Sequence, residues 1–137
     1  MIFFHIHEDA EEDLRKLFSI DEAAFKAITL LLSDLDGDVD LLDRLNQHGY
    51  GAYGAGKIDV SEITSLQQLG ENFWRLKTIQ YENCKRFRIL YCYVPKIVLR
   101  QNQEHYTVLA IVDRNTYNYQ PNHEITKRIR KAYRELV

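Results

Sequence analysis

The chain has 137 residues, 45% of them hydrophobic, the size and composition of one globular domain with a real core. No apolar run approaches the roughly 20 residues of a membrane helix, the first residues lack the basic stretch of an export signal, and Cys84 and Cys92 lack zinc-site spacing. The net charge of −2 hides a split: residues 1–73 carry 5 Lys+Arg against 15 Asp+Glu, and residues 74–137 carry 13 against 5. These features predict a cytoplasmic protein with reduced thiols, no membrane association and a polyanionic partner for its basic half.

In chain order, Ile2–His7 is short and β-prone. Ala10, Leu14, Leu17 and Phe18 recur at helical spacing from Glu8 to Phe18, behind an acidic first turn that suits the helix dipole. Ser19 or Asp21 can cap a second helix running through about Leu32, with Ala24, Phe25, Ile28, Leu31 and Leu32 on one side. Asp36-Gly37-Asp38 breaks it, and a short third helix covers roughly Val39–Gln47. The Asp34–Asp40 cluster lacks the spaced ligands and closing Glu of a calcium loop and reads as a solvated junction. His48–Gly56 holds four of the six glycines and reads as a loop, with no flanking strand and helix to make it a dinucleotide fingerprint. His5 and His7, on one side of the first strand, read as surface histidines rather than metal ligands.

The period then changes from helix to strand. In Phe73–Ile79, Trp74 and Leu76 face one way and Arg75, Lys77 and Ile79 the other. A turn at Glu82–Asn83 leads into Arg86–Tyr93, with Phe87, Ile89, Tyr91 and Tyr93 on one face and Arg86 and Arg88 on the other. Pro95 ends that strand. Gln101–Glu104 reads as a turn, and the apolar run Tyr106–Val112 as a central strand buried on both faces. Asn122–Leu136 reads as a helix with Ile125, Ile129, Ala132, Tyr133 and Leu136 inward and Lys127, Arg128, Arg130, Lys131 and Arg134 outward. The expected fold is α+β, a single domain over 1–137. N-terminal helices in an acidic part, 1–72, pack on a small antiparallel sheet that forms, with the C-terminal helix, a basic part, 73–137.

Strand alternation brings Arg75, Lys77, Arg86 and Arg88 onto one face of a hairpin. Like charges side by side on a sheet are destabilising, and an anion between them offsets that repulsion. Trp74, Tyr81, Phe87, Tyr91, Tyr93, Tyr106, Tyr117, Tyr119 and Tyr133 interleave with the cations, as on surfaces where cations hold phosphates and rings stack on bases.

Phe73-Trp74-Arg75-Leu76-Lys77, Arg86-Phe87-Arg88-Ile89-Leu90-Tyr91, and Val108-Leu109-Ala110-Ile111-Val112-Asp113-Arg114-Asn115 with Tyr117 resemble the RelE/ParE superfamily of bacterial type II toxins. Ala10-Glu11-Glu12-Asp13-Leu14 is also similar to that family's first helix. The resemblance implies a RelE-like fold and a toxin that cleaves mRNA, typically on the ribosome, without metal or other cofactor. The 2′-hydroxyl attacks the adjacent phosphate and leaves a cyclic phosphate and a 5′-hydroxyl.

Carried over residue by residue, the resemblance implies Lys77 as acid or base, Arg88 holding the phosphate and Arg114 stabilising the transition state. Tyr117 stacks or transfers a proton, with Tyr119 in reserve. Arg75, Arg86, Tyr119, His123, Lys127 and Arg128 are expected to bind RNA, His123 also being an alternative acid or base. The implied partners are a cognate antitoxin, forming a hetero-oligomer, and mRNA with the ribosome. Plainer roles stand beside these: exposed strand cations for Arg75 and Lys77, an ion pair to Asp113 or Glu124 for Arg114, core for Tyr117, and a helix cap for His123. Two other functions fit the same family: a ParE-like topoisomerase inhibitor that cuts nothing, and a non-catalytic RNA- or protein-binding relative. The acidic first half, the extended helical part and the Gly-rich loop depart from the family pattern.

Overall fold

The computed structural model describes residues 2–51, 58–78, 86–95 and 104–136. The chain runs β1 (Ile2–Ile6), α1 (Glu8–Ile20), α2 (Glu22–Gly37), α3 (Val39–Leu42) and a 3-10 turn (Asp43–Asn46). It continues through β2 (Ile58–Glu62), α4 (Thr64–Gln67), β3 (Phe73–Thr78), β4 (Phe87–Val94), β5 (Glu104–Asp113) and α5 (Glu124–Leu136). The architecture is α+β. The sheet is mixed rather than purely antiparallel, with strand order β1-β5-β4-β3-β2 and β1 parallel to the central β5.

Caps define the helical hairpin. The His7 ring accepts from the Asp9 amide at the start of α1. Asp21 accepts from the Ala24 amide at 3.0 Å and separates α1 from α2, because its side chain replaces an amide partner that no preceding turn supplies. Asp38 caps α3 in the same way. The turn expected at Glu82–Asn83, most of that at Gln101–Glu104, and Cys84 lie outside the described residues.

Two apolar layers cover the two sheet faces. Leu14, Leu17, Ile28, Leu31 and Leu35 of the hairpin pack on Val60, Trp74, Leu76, Ile89, Tyr91, Val108 and Ile111. On the other face, Ile129 and Ala132 of α5 pack with Phe73, Leu90, Cys92, Leu109, Ala110 and Val112. Strict alternation would send Leu109 and Ala110 to opposite faces. A register shift opposite Leu90/Tyr91 makes Leu109 an extra residue on β5, so both join the α5 layer. Tyr106 through Val112 are buried throughout, as a strand covered on both faces requires.

Most of the aromatics expected to stack on bases are core. Trp74, Phe87, Tyr91, Tyr106 and Tyr117 are all buried. Their burial supplies the apolar area that holds the sheet between its helices.

The unanticipated β2 completes the sheet. Its Ile58 and Val60 enter the hairpin layer, which turns Asp59 to the α5 side. Its outer edge is covered by residues 48–50 of the Gly-rich loop. Gly49 N–H donates to the Val60 carbonyl, Val60 N–H to the Tyr50 carbonyl, and Glu62 N–H to the His48 ring. Gly51 has φ +81°, and a Cβ there would lie 1.8 Å from the Ile58 carbonyl oxygen, so only glycine fits.

β1 pairs with only the first half of β5, Glu104–Val108. Past its end the β5 edge is closed by side chains. Asp13 of α1 accepts from the Ile111 amide at 3.0 Å, and Arg128 of α5 reaches the Leu109 carbonyl at 3.4 Å. The two side chains also bind each other in a bidentate pair. No helix among the described residues is long and apolar enough to cross a membrane.

Candidate functional site

The sheet face that α5 covers over Phe73, Leu90, Cys92 and Leu109 changes character toward the other ends of those strands. There it carries Asp59 of β2, Arg75 and Lys77 of β3, and Arg88 of β4. Pairing sets their approach: Asp59 is opposite Lys77, Ser61 is opposite Arg75, and Leu76 is opposite Ile89. Arg88 and Lys77 are thus the next residues on two adjoining strands. Beyond β5, the turn at 114–116 brings Arg114 in, and Tyr119 follows.

Arg88 is the centre of this group. It is 7% exposed, and its Nη1 donates to the Phe87 carbonyl at 3.0 Å. Burial pulls its pKa below the usual value, as do the Arg75 and Arg114 guanidinium groups, while Tyr119 and Asp59 oppose that shift. An arginine stays charged under any such shift. Three guanidinium groups therefore share one electrostatic neighbourhood, with Asp59 as the carboxylate that reduces their repulsion.

Lys77 has a different neighbour from the one expected. Its Nζ is 3.2 Å from Asp59 Oδ2, so its closest charge is an anion rather than a cation. Asp59 was missed because the sequence pattern was given no element between the loop His48–Gly56 and the strand at Phe73, where β2 lies. The alternation Ile58-Asp59-Val60-Ser61 was the available signal, but two apolar residues are a short run.

The two tyrosines exchange their expected places. Tyr117 is 3% exposed and its hydroxyl is 2.7 Å from Thr126 Oγ1 in α5, so it is a core residue and not a stacking platform. Tyr119 lies beside it, ring centroids 4.6 Å apart, and has φ +60°, the only positive φ at a non-glycine among the described residues. That conformation is strained, typically by about 1–2 kcal/mol. Burial raises the Tyr119 pKa and Arg75 and Arg88 pull it back, with the net direction upward. The phenol is therefore a neutral proton donor at neutral pH, held next to the arginines.

The other expected contacts separate from the group. Arg86 is exposed on the far side of the strand end, 3.7 Å from Asp113 and over the Phe87 ring. It precedes β4, so strand alternation does not bind it to the face of Arg88. His123 is a cap: its Nδ1 accepts from the Ile125 amide and its Nε2 lies 3.2 Å from the Thr116 carbonyl. Arg128 is committed to Asp13 and the β5 edge, and Arg130 to Glu71 at 2.6 Å. Of the basic residues on α5, Lys127, Lys131 and Arg134 are exposed.

Among the described residues no three His, Cys, Asp or Glu side chains are grouped to hold a metal ion. Neither the His5/His7 pair nor the Asp34–Asp40 cluster forms such a group. No family model matches this chain, no curated protein matches it, and no solved structure matches it.

Proposed function

We propose that this protein is an endoribonuclease toxin of a toxin–antitoxin pair, which stops translation by cutting mRNA. The observation that carries the reading is the gathering of Arg75, Lys77, Arg88 and Arg114 around one patch of one sheet face, with Tyr119 against it. Such a patch suits a phosphodiester whose negative charge rises in the transition state, because preoriented cations stabilise that charge without reorganising. The layout of N-terminal helical hairpin, meander and C-terminal helix is compatible with the RelE-like arrangement that the sequence resembles.

In this reading the phosphate rests on Arg88 and Arg75, and exposed Arg114 adds charge as the 2′-oxygen attacks. Tyr119, rather than Tyr117, gives its proton to the departing 5′-oxygen. Asp59, paired with Lys77, is the carboxylate nearest the site and is placed to assist removal of the 2′-proton. The products are a 2′,3′-cyclic phosphate and a 5′-hydroxyl. A cognate antitoxin and the ribosome are the partners this function requires, and the cytoplasm is where it operates.

The test is induced expression of the wild type and Arg114→Ala, following growth. Arg114 is exposed, so its loss leaves the core intact, whereas buried Arg88 would leave a void. Arrest by the wild type, relieved by about 100-fold weaker cleavage in the variant, is expected for loss of one charge-stabilising group. Equal arrest by both proteins would overturn the reading and favour a target bound rather than cut.

A further inference from the structure

Among the described residues, the sheet closes its edges with one exception. β2 is covered by residues 48–50, and the second half of β5 by Asp13 and Arg128. The outer edge of β1 has no hydrogen-bond partner among the described residues. Strand parity says what it offers. His7 N–H donates to the Val108 carbonyl, toward β5, so the amides and carbonyls of Phe3 and His5 also point there. Those of Ile2, Phe4 and Ile6 point outward. Such an edge is a template for another strand, and charged residues or proline are what usually prevent the pairing. Ile2-Phe3-Phe4-His5-Ile6 contains no Lys, Arg, Asp, Glu or Pro.

We infer that this edge pairs with the same edge of a second copy of the chain, as antiparallel strands about a two-fold axis at Phe4. A two-fold contact must be its own complement, with residue i meeting j and j meeting i. Centred on Phe4, the five residues meet that demand. Ile2 lies opposite Ile6 of the second copy, Phe4 opposite its own equivalent, and Phe3 opposite His5. The outward-facing residues 2, 4 and 6 then pair only with one another, so every outward N–H and C=O gains a partner. On one face the pairs are wholly apolar and extend the layer under the helical hairpin, where Ile2, Phe4 and Ile6 already pack. A cavity of about 350 Å³, with Phe4, Ile6, Leu14 and Leu32 in its lining, lies on that side and has room for an aromatic ring. On the other face Phe3, 48% exposed and stacked on His105, meets the imidazole of the second copy. This symmetry of side chains favours a second copy over a strand of another protein, which would satisfy the main chain alone.

The pairing is independent of the RNA reading and survives its failure. The test is sedimentation equilibrium of the purified chain, tagged only at its C-terminus, beside two double variants. Glu11 and Asp36 on the exposed rim of the cavity recur in both copies, so the runs are made at about 0.15 M salt, which screens exposed charges. Phe3→Lys with His5→Lys sets lysine opposite lysine twice across the axis. Phe3→Glu with His5→Lys sets glutamate opposite lysine at the same two places. Both positions are exposed, and thermal melts establish that the variants are folded. The expected result is a wild-type dimer, association at least about tenfold weaker in the first variant, and recovery to within about threefold in the second. Exchange of the Phe4 and Ile6 amides is expected to slow as the wild-type concentration rises. A wild-type monomer in which those amides exchange freely would overturn the pairing and leave the edge to a strand of another protein. A dimer that both variants leave intact, or that both break, would also overturn it, the first by placing the interface elsewhere and the second by denying the register.

Discussion

Tyr117 and Tyr119 are two residues apart, yet their hydroxyls meet opposite surroundings. The Tyr117 hydroxyl is held by Thr126 inside the α5 layer, and Tyr119 is held against Arg75 and Arg88. Tyr117→Phe is expected to cost about 1 kcal/mol of stability, by leaving the Thr126 hydroxyl without its partner, and to leave cleavage unchanged. Tyr119→Phe is expected to keep the melting temperature and slow cleavage at least about 100-fold, because the ring remains and the proton is gone. Thermal melts beside cleavage rates check both, and an inversion of the two results would return the catalytic role to Tyr117. Burial also gives these groups a signature in pH. Burial holds the folded-state pKa of Tyr119 above the ordinary tyrosine value, and pushes that of Cys92 up to about 12. Each favours the protonated fold, so its stability is fully present below the unfolded pKa and is lost as pH rises toward the folded one. Melts recorded from pH 7 to 11 should show stability constant to about pH 9 and falling beyond it.

Among the elements, α5 and β2 are where local pattern and tertiary role diverge. The Arg128–Asp13 pair closes the half of β5 that β1 leaves open, so Asp13→Ala strands both the Ile111 amide and the guanidinium. The expected loss is about 2–3 kcal/mol, read as a lower melting temperature rather than weaker RNA binding. Gly51→Ala is expected to cost about 3 kcal/mol through its contact with Ile58 and its positive φ, detaching the loop that covers β2. Melting temperatures test both. The helices and long strands were legible from their apolar patterns: α1 and α2 begin where acidic and capping residues stand, Phe73–Thr78 and Phe87–Val94 follow their alternation within two residues, and Glu104–Asp113 follows its continuous apolar run within two residues. The parallel pairing of β1 with β5 was not legible, since about a hundred residues separate the strands and nothing local encodes it. Arg75, Lys77 and Arg88 were readable from strand parity. Asp59 was not, because five residues with two apolar ones make a weak strand signal. Arg128 looked like a surface cation, because an ion pair to a distant helix leaves no mark in the pattern around it.

At the scale of the whole molecule, the split in charge along the chain is also a split in space. The α1–α2 hairpin on one sheet face carries exposed Asp34 and Asp36, with exposed Asp40 in α3 just beyond it, while Arg75, Lys77, Arg88 and the exposed cations of α5 belong to the other. Such a molecule is oriented by a polyanion before contact, its acidic layer turned away. Binding of a short single-stranded RNA, followed by fluorescence anisotropy, should weaken about 20- to 50-fold between 50 and 200 mM salt if three to four cations meet phosphates. Salt-insensitive binding would place the RNA elsewhere. The most direct test of the nuclease reading is the chemistry of RNA ends in cells expressing the wild type or Arg114→Ala. New 5′-hydroxyl ends matched to 2′,3′-cyclic phosphates, and depleted about 100-fold in the variant, are the predicted result. Growth arrest without such ends, or ends equally abundant in the variant, would contradict it.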